Sequence, residues 1–337
     1  MVSENVLLQP YNTFGIPARS RYFASFDSEA ALLALLDEPR AKGLPRMILG
    51  GGSNILFTKD FDGLMLKNDI RGMKVVNEDK DHVYVKAGAG ENWHGLVQYC
   101  LAADMAGLEN LSLIPGNVGA SPMQNIGAYG VEIKDTFHSL EALHLEDRRV
   151  VTFSNNDCAF GYRESVFKKQ YRNQFAILNV TYRLNKVPRF NTSYGAINEE
   201  LERMGVKELS IQAISQAVIN IRTSKLPDPA KIGNAGSFFK NPSVDAAQYE
   251  KLKAAFPQVV AYPLADGHFK LAAGWLIEQC GWKGYREGDA GVHAKQALVL
   301  VNYGHAKGSE IYALSQKVVD SVKEKFGVEL EREVNIL

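Results

Sequence analysis

The chain has 337 residues, more than one hydrophobic core usually organises, so two or three domains are expected. Hydrophobic residues make up 46% of it and charged residues 23%, which is ordinary for a globular protein. Its 38 basic residues equal its 38 acidic ones, so no overall positive field favours nucleic acid or an anionic membrane as a partner.

The first part of the chain predicts a β–α–β opening. A short amphipathic helix is predicted over 26–36, and a strand over 47–49 ends in the first glycine loop, which consists of Gly50, Gly51, Gly52, Ser53 and Asn54. This loop lacks the third glycine of the dinucleotide fingerprint, and no acidic residue follows where a ribose would be held. A Rossmann domain is therefore disfavoured.

A second glycine loop is the strongest local signal in the chain. Residues 115–130 contain four glycines, two prolines and no charged residue, and they follow a predicted strand over 82–88 and a predicted helix over 93–103. Glycine lets backbone N–H groups approach a ligand closely, and amides arranged in this way can line a phosphate-binding concavity. Two such loops predict a large phosphorylated ligand held at two points; the alternative is two tight surface turns.

The rest of the chain alternates between strand-like and helix-like patterns. Runs at 140–145, 149–153 and 175–184 predict an antiparallel sheet, and 186–195 is a polar connection. Helices are predicted at 211–223, 271–280 and 311–326, with a strand at 297–301.

Several polar residues are candidate catalytic or binding residues, and each also has a purely structural interpretation. Arg163 lies among aromatic residues and suits a carboxylate through paired hydrogen bonds, although an ordinary ion-paired arginine has the same pattern. Ser237 precedes two aromatic residues that would shelter its hydroxyl, or it is a turn serine. Glu333 lies in a charged strand pattern typical of a solvated face. Arg222 and Lys225 at a helix end either favour the helix dipole or reach a phosphate.

Cysteine usage and the N-terminus indicate the compartment. Cys100, Cys158 and Cys280 are far apart and odd in number, which fits buried thiols in a reducing cytoplasm. Residues 1–13 lack a secretory pattern, and no apolar run reaches the roughly 20 residues that span a bilayer. No His or Cys spacing predicts a metal site.

In their order along the chain, the segments 50–54, 114–130, 161–163, 222–227 and 234–242 resemble the UDP-N-acetylenolpyruvoylglucosamine reductase family. This family makes UDP-N-acetylmuramate for bacterial peptidoglycan. The likeness extends from Tyr11 to Glu333, and five ordered motifs are far more specific than any one loop. The connection containing Tyr194 is similar to the type I branch, which closes a tyrosine over the substrate.

The resemblance implies an α+β architecture. It consists of an FAD-binding fold of the vanillyl-alcohol-oxidase (PCMH) type in two α+β lobes and a C-terminal α+β substrate-binding domain. The implied lobes are 1–72 and 73–224, with the FAD-binding region at about 17–187, and the C-terminal domain is 225–337, with its last strand returning to the active site. FAD along the two glycine loops would explain the missing dinucleotide fingerprint. A cytoplasmic monomer without nucleic-acid or membrane partners is expected.

The resemblance also implies roles for individual residues. The catalytic residues would be Arg163, Ser237 and Glu333, and the substrate contacts Tyr194, Lys225, Asn241, Tyr262 and Gln296. The FAD contacts would be Gly50, Gly51, Gly52, Ser53, Asn54, Ile114, Pro115, Gly119, Ser121, Asn125, Ile126, Gly127, Tyr129, Gly130, Ile177 and Arg222.

The implied chemistry has two half-reactions. NADPH gives a hydride to the flavin and leaves, and the reduced flavin then gives a hydride from N5 to the vinyl carbon of UDP-N-acetylglucosamine enolpyruvate. Arg163 and a protonated Glu333 would stabilise the negative charge that develops, and Ser237 would protonate the neighbouring carbon. The alternatives are another oxidase of the same flavin fold and a nucleotide-sugar binding protein without catalysis.

Overall fold

A computed structural model describes residues 1–337, and the chain divides into two compact units. Unit 1 contains Met1–Val6, Ser20–Gly52 and Asp62–Ser224, and unit 2 contains Leu7–Arg19, Ser53–Phe61 and Lys225–Leu337. Both units combine helices with sheets, so the predicted α+β class is confirmed. The division into 1–72, 73–224 and 225–337 stays a prediction.

The chain forms eight α-helices and twenty strands. The helices are α1 (Glu29–Leu36), α2 (Trp93–Ala102), α3 (Asn155–Cys158), α4 (Gly195–Arg203), α5 (Ile211–Lys225), α6 (Ala246–Ala255), α7 (Ala273–Gln279) and α8 (Gly308–Phe326). The strands are β1 (Ser3–Leu7), β2 (Arg19–Phe26), β3 (Arg46–Leu49), β4 (Ile55–Leu56), β5 (Phe61–Asn68), β6 (Met73–Glu78), β7 (His82–Gly88), β8 (Gly127–Ala128), β9 (Val131–Glu132), β10 (Phe137–His144), β11 (Val150–Ser154), β12 (Phe175–Asn185), β13 (Gly233–Asn234), β14 (Ser243–Val244), β15 (Ala261–Pro263), β16 (Phe269–Leu271), β17 (Arg286–Glu287), β18 (Ala290–Val292), β19 (Leu300–Asn302) and β20 (Asn335–Ile336).

Two sheets and a short hairpin form unit 1. One sheet has the strand order β1-β2-β5-β3, with β3 and β5 parallel, and its last strand leads into the first glycine loop. The other has the order β11-β10-β12-β7-β6 and is antiparallel throughout, so the antiparallel sheet predicted from the runs that became β10, β11 and β12 is confirmed, with β7 and β6 added to it. The hairpin pairs β8 with β9 inside and just after the second glycine loop.

Helix α2, which precedes the second glycine loop, packs against the core of the antiparallel sheet. α2 buries Trp93, Leu96, Val97, Cys100 and Leu101, the spacing of one helix face, and Asn92 caps its first turn by accepting from the Gly95 amide. The Trp93 ring meets Tyr182 of β12 edge-on with 5.8 Å between centroids. Burial raises the pKa of the Cys100 thiol to about 12, so this thiol stays protonated.

Helices α4 and α5 form a separate apolar cluster in unit 1. Ile197 and Leu201 of α4 pack with Ile214, Val218 and Ile221 of α5. The ring of Tyr129 in the second glycine loop packs against the same cluster. Because Tyr194 is the residue just before α4, this packing places it close to the loop.

Unit 2 is built around α8 and a small antiparallel sheet. α8 buries an apolar face that includes Ile311, Leu314, Val318 and Val322, and Gly327, the residue after its end, has φ of 65°, the left-handed conformation common at helix ends. The sheet has the order β13-β19-β18-β17, and β14, β16 and β15 form a second one. None of the helices combines the length and apolar character needed to cross a bilayer.

Some predicted boundaries shift in the structure. α1 begins at Glu29, with Ser28 as its cap, because Phe26 ends β2. α7 begins at Ala273 because Leu271 ends β16, and β19 begins only at Leu300. Among the elements of five or more residues, β1, β2, β5, β6, α4 and α6 were not predicted.

Candidate active site

The first glycine loop runs directly against the second. A Cβ atom on Gly51 would lie 2.8 Å from Asn117 Oδ1 and 2.9 Å from Gly116 Cα, so no side chain fits at this position. Gly52 follows with φ of 63°, in the left-handed region that favours glycine. Gly50, Gly51 and Gly52 belong to unit 1, whereas Ser53 and Asn54 belong to unit 2.

The second glycine loop is anchored on the strand–helix connection before it. Trp93 N donates to Gly116 O at 3.0 Å, and Gly119 N donates to Ala89 O at 2.9 Å. A Cβ on Gly119 would lie 2.7 Å from the Cβ of Ala89, so glycine is required here too. The Ser121 hydroxyl is held by Val118 O at 2.8 Å and by the Tyr182 hydroxyl at 2.7 Å.

These contacts leave amide groups available for a ligand. The N–H groups of Gly51, Gly116 and Asn117 donate to no acceptor within the protein. All three residues are half-buried. Since buried backbone donors almost always have a partner, this cluster fits a bound group rich in acceptor oxygens, such as a pyrophosphate.

Four of the nine non-glycine residues with left-handed backbone lie in this region. The non-glycine residues Leu113, Asn125, Tyr129 and Arg163 have φ of 58°, 45°, 50° and 56°. Such conformations cost roughly 1–3 kcal/mol each and cluster at functional sites. Asn125 is held in place because its side chain donates to Glu132 Oε2 at 3.1 Å and to Gly161 O at 3.0 Å and accepts from Lys134 N at 3.1 Å.

Arg163 is hydrogen-bonded to the second glycine loop. Its Nη2 donates to Gly127 O at 2.5 Å and its Nη1 to Asn125 O at 3.4 Å. A Cβ on Gly127 would lie 3.0 Å from Nη1, so the glycine makes room for the guanidinium. Glu132 Oε1 is 3.8 Å from Nη1, which gives Arg163 a long ion pair as well as its loop contacts.

Arg222 is a cation without an acidic partner. Its Nε donates to Leu113 O at 3.2 Å and its guanidinium interacts with the Tyr129 side chain, but no carboxylate lies within ion-pair distance. Burial lowers the pKa of Arg222, and Tyr129 partly opposes that shift. Arginine nevertheless stays charged at physiological pH. The pKa of His94, whose Nδ1 accepts from Leu113 N at 3.0 Å, is lowered by burial and then by Arg222.

Tyr194 and its connection are tied to the second glycine loop. The Tyr194 and Tyr129 rings meet edge-on, with centroids 5.3 Å apart, and Tyr194 is 48% exposed. Asn110, which is buried, donates through Nδ2 to Tyr129 O and to Asn191 O, both at 2.9 Å. Asn191 in turn donates to Gly130 O at 3.1 Å. Sequence reasoning missed Asn110 and Asn191, because no local pattern marks an asparagine that joins distant segments.

Most of the remaining predicted FAD contacts of unit 1 lie in or against the hydrophobic core. Ile177 is a buried residue of β12, and its carbonyl accepts from Asn68 Nδ2 at 2.8 Å. Ile114 and Ile126 are partly buried against the same core, while Pro115 is exposed.

In unit 2, Ser237 and Glu333 lie on adjoining segments. Glu333 N donates to Phe238 O at 2.8 Å, and Asn54 Nδ2 donates to Glu333 O at 3.3 Å. Glu333 is half-buried, so it does not lie on a fully solvated face. Ser237 is exposed rather than sheltered as predicted, because Phe238 and Phe239 take the buried positions of this segment.

Two of the predicted substrate contacts meet at the start of α7. Asn241 Oδ1 accepts from Ala273 N at 3.0 Å, and Gln296 Oε1 lies 3.1 Å from where a Cβ on Gly274 would be. Tyr262, on β15, is 54% exposed, and Lys225, the last residue of α5, is also exposed.

Comparison with known proteins identifies two matching regions. Residues 20–154 match the FAD binding domain family, and residues 228–337 match the family described as UDP-N-acetylenolpyruvoylglucosamine reductase, C-terminal domain. The UDP-N-acetylenolpyruvoylglucosamine reductase of Pseudomonas putida is 53% identical over 333 residues, covering 99% of this chain and 98% of the relative. The reductase of Amoebophilus asiaticus is also 53% identical, covering 100% and 99%.

Solved structures agree on the fold. The crystal structure of UDP-N-acetylenolpyruvylglucosamine reductase from Thermus caldophilus is similar with a TM-score of 0.69 at 23% identity, covering 100% of this chain and 99% of that one. p-Cresol methylhydroxylase with substrate bound gives a TM-score of 0.51 at 11% identity, covering 98% and 84%. The predicted FAD-binding fold of the vanillyl-alcohol-oxidase type is confirmed, and FAD is the cofactor.

We predict that Gly51→Ala weakens FAD binding at least about 10-fold and lowers the free energy of unfolding by about 2 kcal/mol, because its methyl group forces the two loops apart. Flavin fluorescence titration and thermal unfolding of the apoprotein measure the two effects. Gly95→Ala is the matched control, since its Cβ would meet Asn92 Cβ at an ordinary 3.7 Å within α2. Unchanged FAD affinity in Gly51→Ala would contradict the loop contact.

Proposed function

The chain belongs to the UDP-N-acetylenolpyruvoylglucosamine reductase family, and we propose that it reduces UDP-N-acetylglucosamine enolpyruvate to UDP-N-acetylmuramate with NADPH. It is an oxidoreductase with FAD as its cofactor. The observation that carries the proposal is the 53% identity over 333 residues to a reductase of that name. The monomeric state and the cytoplasmic location stay predictions.

The residues of unit 1 fit the cofactor. When bound, FAD would carry a hydride from NADPH to the vinyl carbon of the substrate. The free amides of Gly51, Gly116 and Asn117 would hold its pyrophosphate. The other proposed FAD contacts remain those named from the sequence. Among them, Gly119 lets the second glycine loop lie close to Ala89, and Gly127 lets it lie close to the Arg163 guanidinium.

Arg222 supports the same assignment through its charge. A guanidinium whose protein partners are a carbonyl and a neutral tyrosine lacks the counter-charge that partly buried cations normally have. We propose that an anionic or electron-rich group of the bound flavin supplies it. The apoprotein therefore carries an electrostatic cost that FAD binding relieves.

Arg163 and Glu333 would stabilise the negative charge that develops on the substrate after hydride transfer. Arg163 is pre-organised by its bonds to Gly127 O and Asn125 O, so little reorientation is needed when the charge appears. Glu333 in its protonated form would donate a hydrogen bond instead of repelling the anion. Each such donor is worth about 3 kcal/mol of barrier.

Ser237 would give the proton that completes the reduction. Its exposed hydroxyl is accessible to a substrate, and the buried rings of Phe238 and Phe239 fix the backbone that carries it. Serine is a weak acid, but an enolate-like carbon is a strong base. We propose that Tyr194, Lys225, Asn241, Tyr262 and Gln296 bind the nucleotide-sugar part of the substrate.

The proposed reaction is tested by the mass of the product. Incubation with NADPH and UDP-N-acetylglucosamine enolpyruvate should yield UDP-N-acetylmuramate, heavier by two hydrogens. In D2O up to two carbon-bound deuteriums should appear, one on the protonated carbon and one on the vinyl carbon, because the N5 hydrogen of a reduced flavin exchanges with solvent once NADP⁺ has left. Recovery of unchanged substrate, under conditions in which NADPH reduces the flavin, would contradict the proposed function.

We predict that Ser237→Ala leaves the reduction of the flavin by NADPH unchanged and slows reoxidation by the substrate roughly 10²- to 10⁴-fold. The first half-reaction needs no proton from serine, whereas the second one does. Stopped-flow absorbance of the flavin under anaerobic conditions measures the two steps separately. An equal loss in both would show that Ser237 is a structural residue.

We predict that Arg222→Met weakens FAD binding about 10- to 100-fold without destabilising the apoprotein, because it removes a cation that has no acidic partner. Arg46→Met is the control, since Arg46 also donates to a carbonyl of unit 1, Leu36 O at 2.9 Å, but is not a proposed FAD contact. FAD titration and apoprotein unfolding are compared for both variants. A strongly destabilised Arg222→Met apoprotein with normal FAD affinity would refute the proposed role.

We predict that Tyr194→Phe weakens substrate binding about 5-fold while FAD is retained. The phenylalanine ring keeps the edge-on contact with Tyr129 but lacks the hydroxyl. Substrate titration monitored by flavin absorbance gives the dissociation constant. Loss of flavin from the purified variant would be incompatible with a role in substrate binding.

A further inference from the structure

The segment that carries Glu333 has little regular structure of its own. Between the end of α8 at Phe326 and β20 at Asn335, the chain forms only an isolated bridge between Arg332 and Phe239. Its backbone makes few hydrogen bonds: Lys240 N donates to Glu331 O at 2.9 Å, Glu333 N donates to Phe238 O at 2.8 Å, and Glu333 O accepts from Asn54 Nδ2 at 3.3 Å. With so few backbone bonds, side-chain contacts of the neighbouring residues also help to fix the direction of Glu333.

Arg332 is the main anchor of this segment on α8. Its Nε donates to Ser315 Oγ at 2.8 Å and its Nη2 to Gln316 Oε1 at 2.7 Å. Its guanidinium carbon also lies 4.7 Å from the centre of the Tyr312 ring, a cation–π distance. The three partners are on one stretch of a helix whose apolar face is buried, so the guanidinium is held on a rigid support.

Lys240 anchors Glu331, the residue just before Arg332. Its side chain is buried and its Nζ lies 2.6 Å from Glu331 Oε1. Glu331 and Arg332 are thus fixed on different supports, and Glu333 follows them directly. In an extended segment successive side chains point to opposite sides, so fixing residue 332 also sets the direction of residue 333.

We propose that Arg332 is a positioning residue that holds the Glu333 carboxyl in the orientation needed for reduction of the substrate. This inference rests on the proposed function, in which Glu333 acts on the substrate. Arg332 itself does not touch the reacting atoms; it acts through the backbone of Glu333. A misplacement of about 1 Å can cost on the order of 10²-fold in rate, so a loosened segment is enough to impair the reaction.

The test compares Arg332→Met with Arg286→Met in the FAD-loaded enzyme. Arg286 is a matched control because it also hydrogen-bonds to polar partners of unit 2, including Asp289 Oδ1 at 2.9 Å, and lies over a tyrosine ring, that of Tyr303, at 4.2 Å. Arg332→Met should slow reoxidation of the reduced flavin by the substrate about 10- to 100-fold, with flavin reduction by NADPH and substrate affinity unchanged. Arg286→Met should leave both half-reactions unchanged.

A second readout is independent of turnover. Hydrogen exchange of the peptide covering 329–337, followed by mass spectrometry, should be about 10-fold faster in Arg332→Met because the Glu333 amide loses protection, and unchanged in Arg286→Met. The double variant Ser315→Ala with Gln316→Leu removes the acceptors while keeping Arg332, and it should reproduce both effects to a smaller extent.

The outcomes separate this proposal from the proposed function. If Glu333→Ala itself leaves reoxidation unaffected, the catalytic role of Glu333 is wrong. If Glu333→Ala is impaired but Arg332→Met reoxidises normally, or loses both half-reactions equally, the positioning role is refuted. Slow reoxidation with unchanged exchange of 329–337 also refutes it, because the effect would then not act through this segment.

Discussion

The proposed flavin site of unit 1 depends on the close approach of two backbone segments, Gly51 on one side and Gly116 with Asn117 on the other. A single Cβ at Gly51 would fall within 3 Å of both neighbours, so this contact exists only because the residue has no side chain. The approach leaves three amides without protein acceptors, so they are available to an anionic group that accepts from them. The same constraint thus explains the composition of the loops and leaves the amides that we propose hold the pyrophosphate.

Strain and unbalanced charge lie beside this contact. Leu113, Asn125, Tyr129 and Arg163 are left-handed, and the polar contacts of Asn125 and Arg163 show how the surrounding structure holds them there. Arg222 adds a cation whose protein partners are only a carbonyl and a hydroxyl. Each feature alone lowers the stability of the protein, and together they are typical of a ligand-binding site.

Local patterns predicted the parts of this protein that local forces determine. β7 and α2 were predicted almost to the residue, because alternation and one-face spacing are properties of short segments. Phe26 and Leu271 were assigned to helices although each ends a strand, since an apolar residue at a boundary suits either element. Asn110 joins residues 81 positions away, and Arg332 rests on a helix 16 to 17 positions earlier; no motif encodes either contact. The order of the motifs, rather than any single pattern, indicated the family and hence the cofactor, which the comparisons confirmed.

The central claim is that one flavin takes a hydride from NADPH and passes it to an enolpyruvyl ether. The most direct measurement is the anaerobic visible spectrum of the purified protein during addition of NADPH, then of UDP-N-acetylglucosamine enolpyruvate. The oxidised flavin bands should disappear with NADPH and return in full only when that substrate is added. A flavin that stays reduced in the presence of the substrate would contradict the claim while leaving the fold intact, and a protein that cannot bind FAD at all would contradict both.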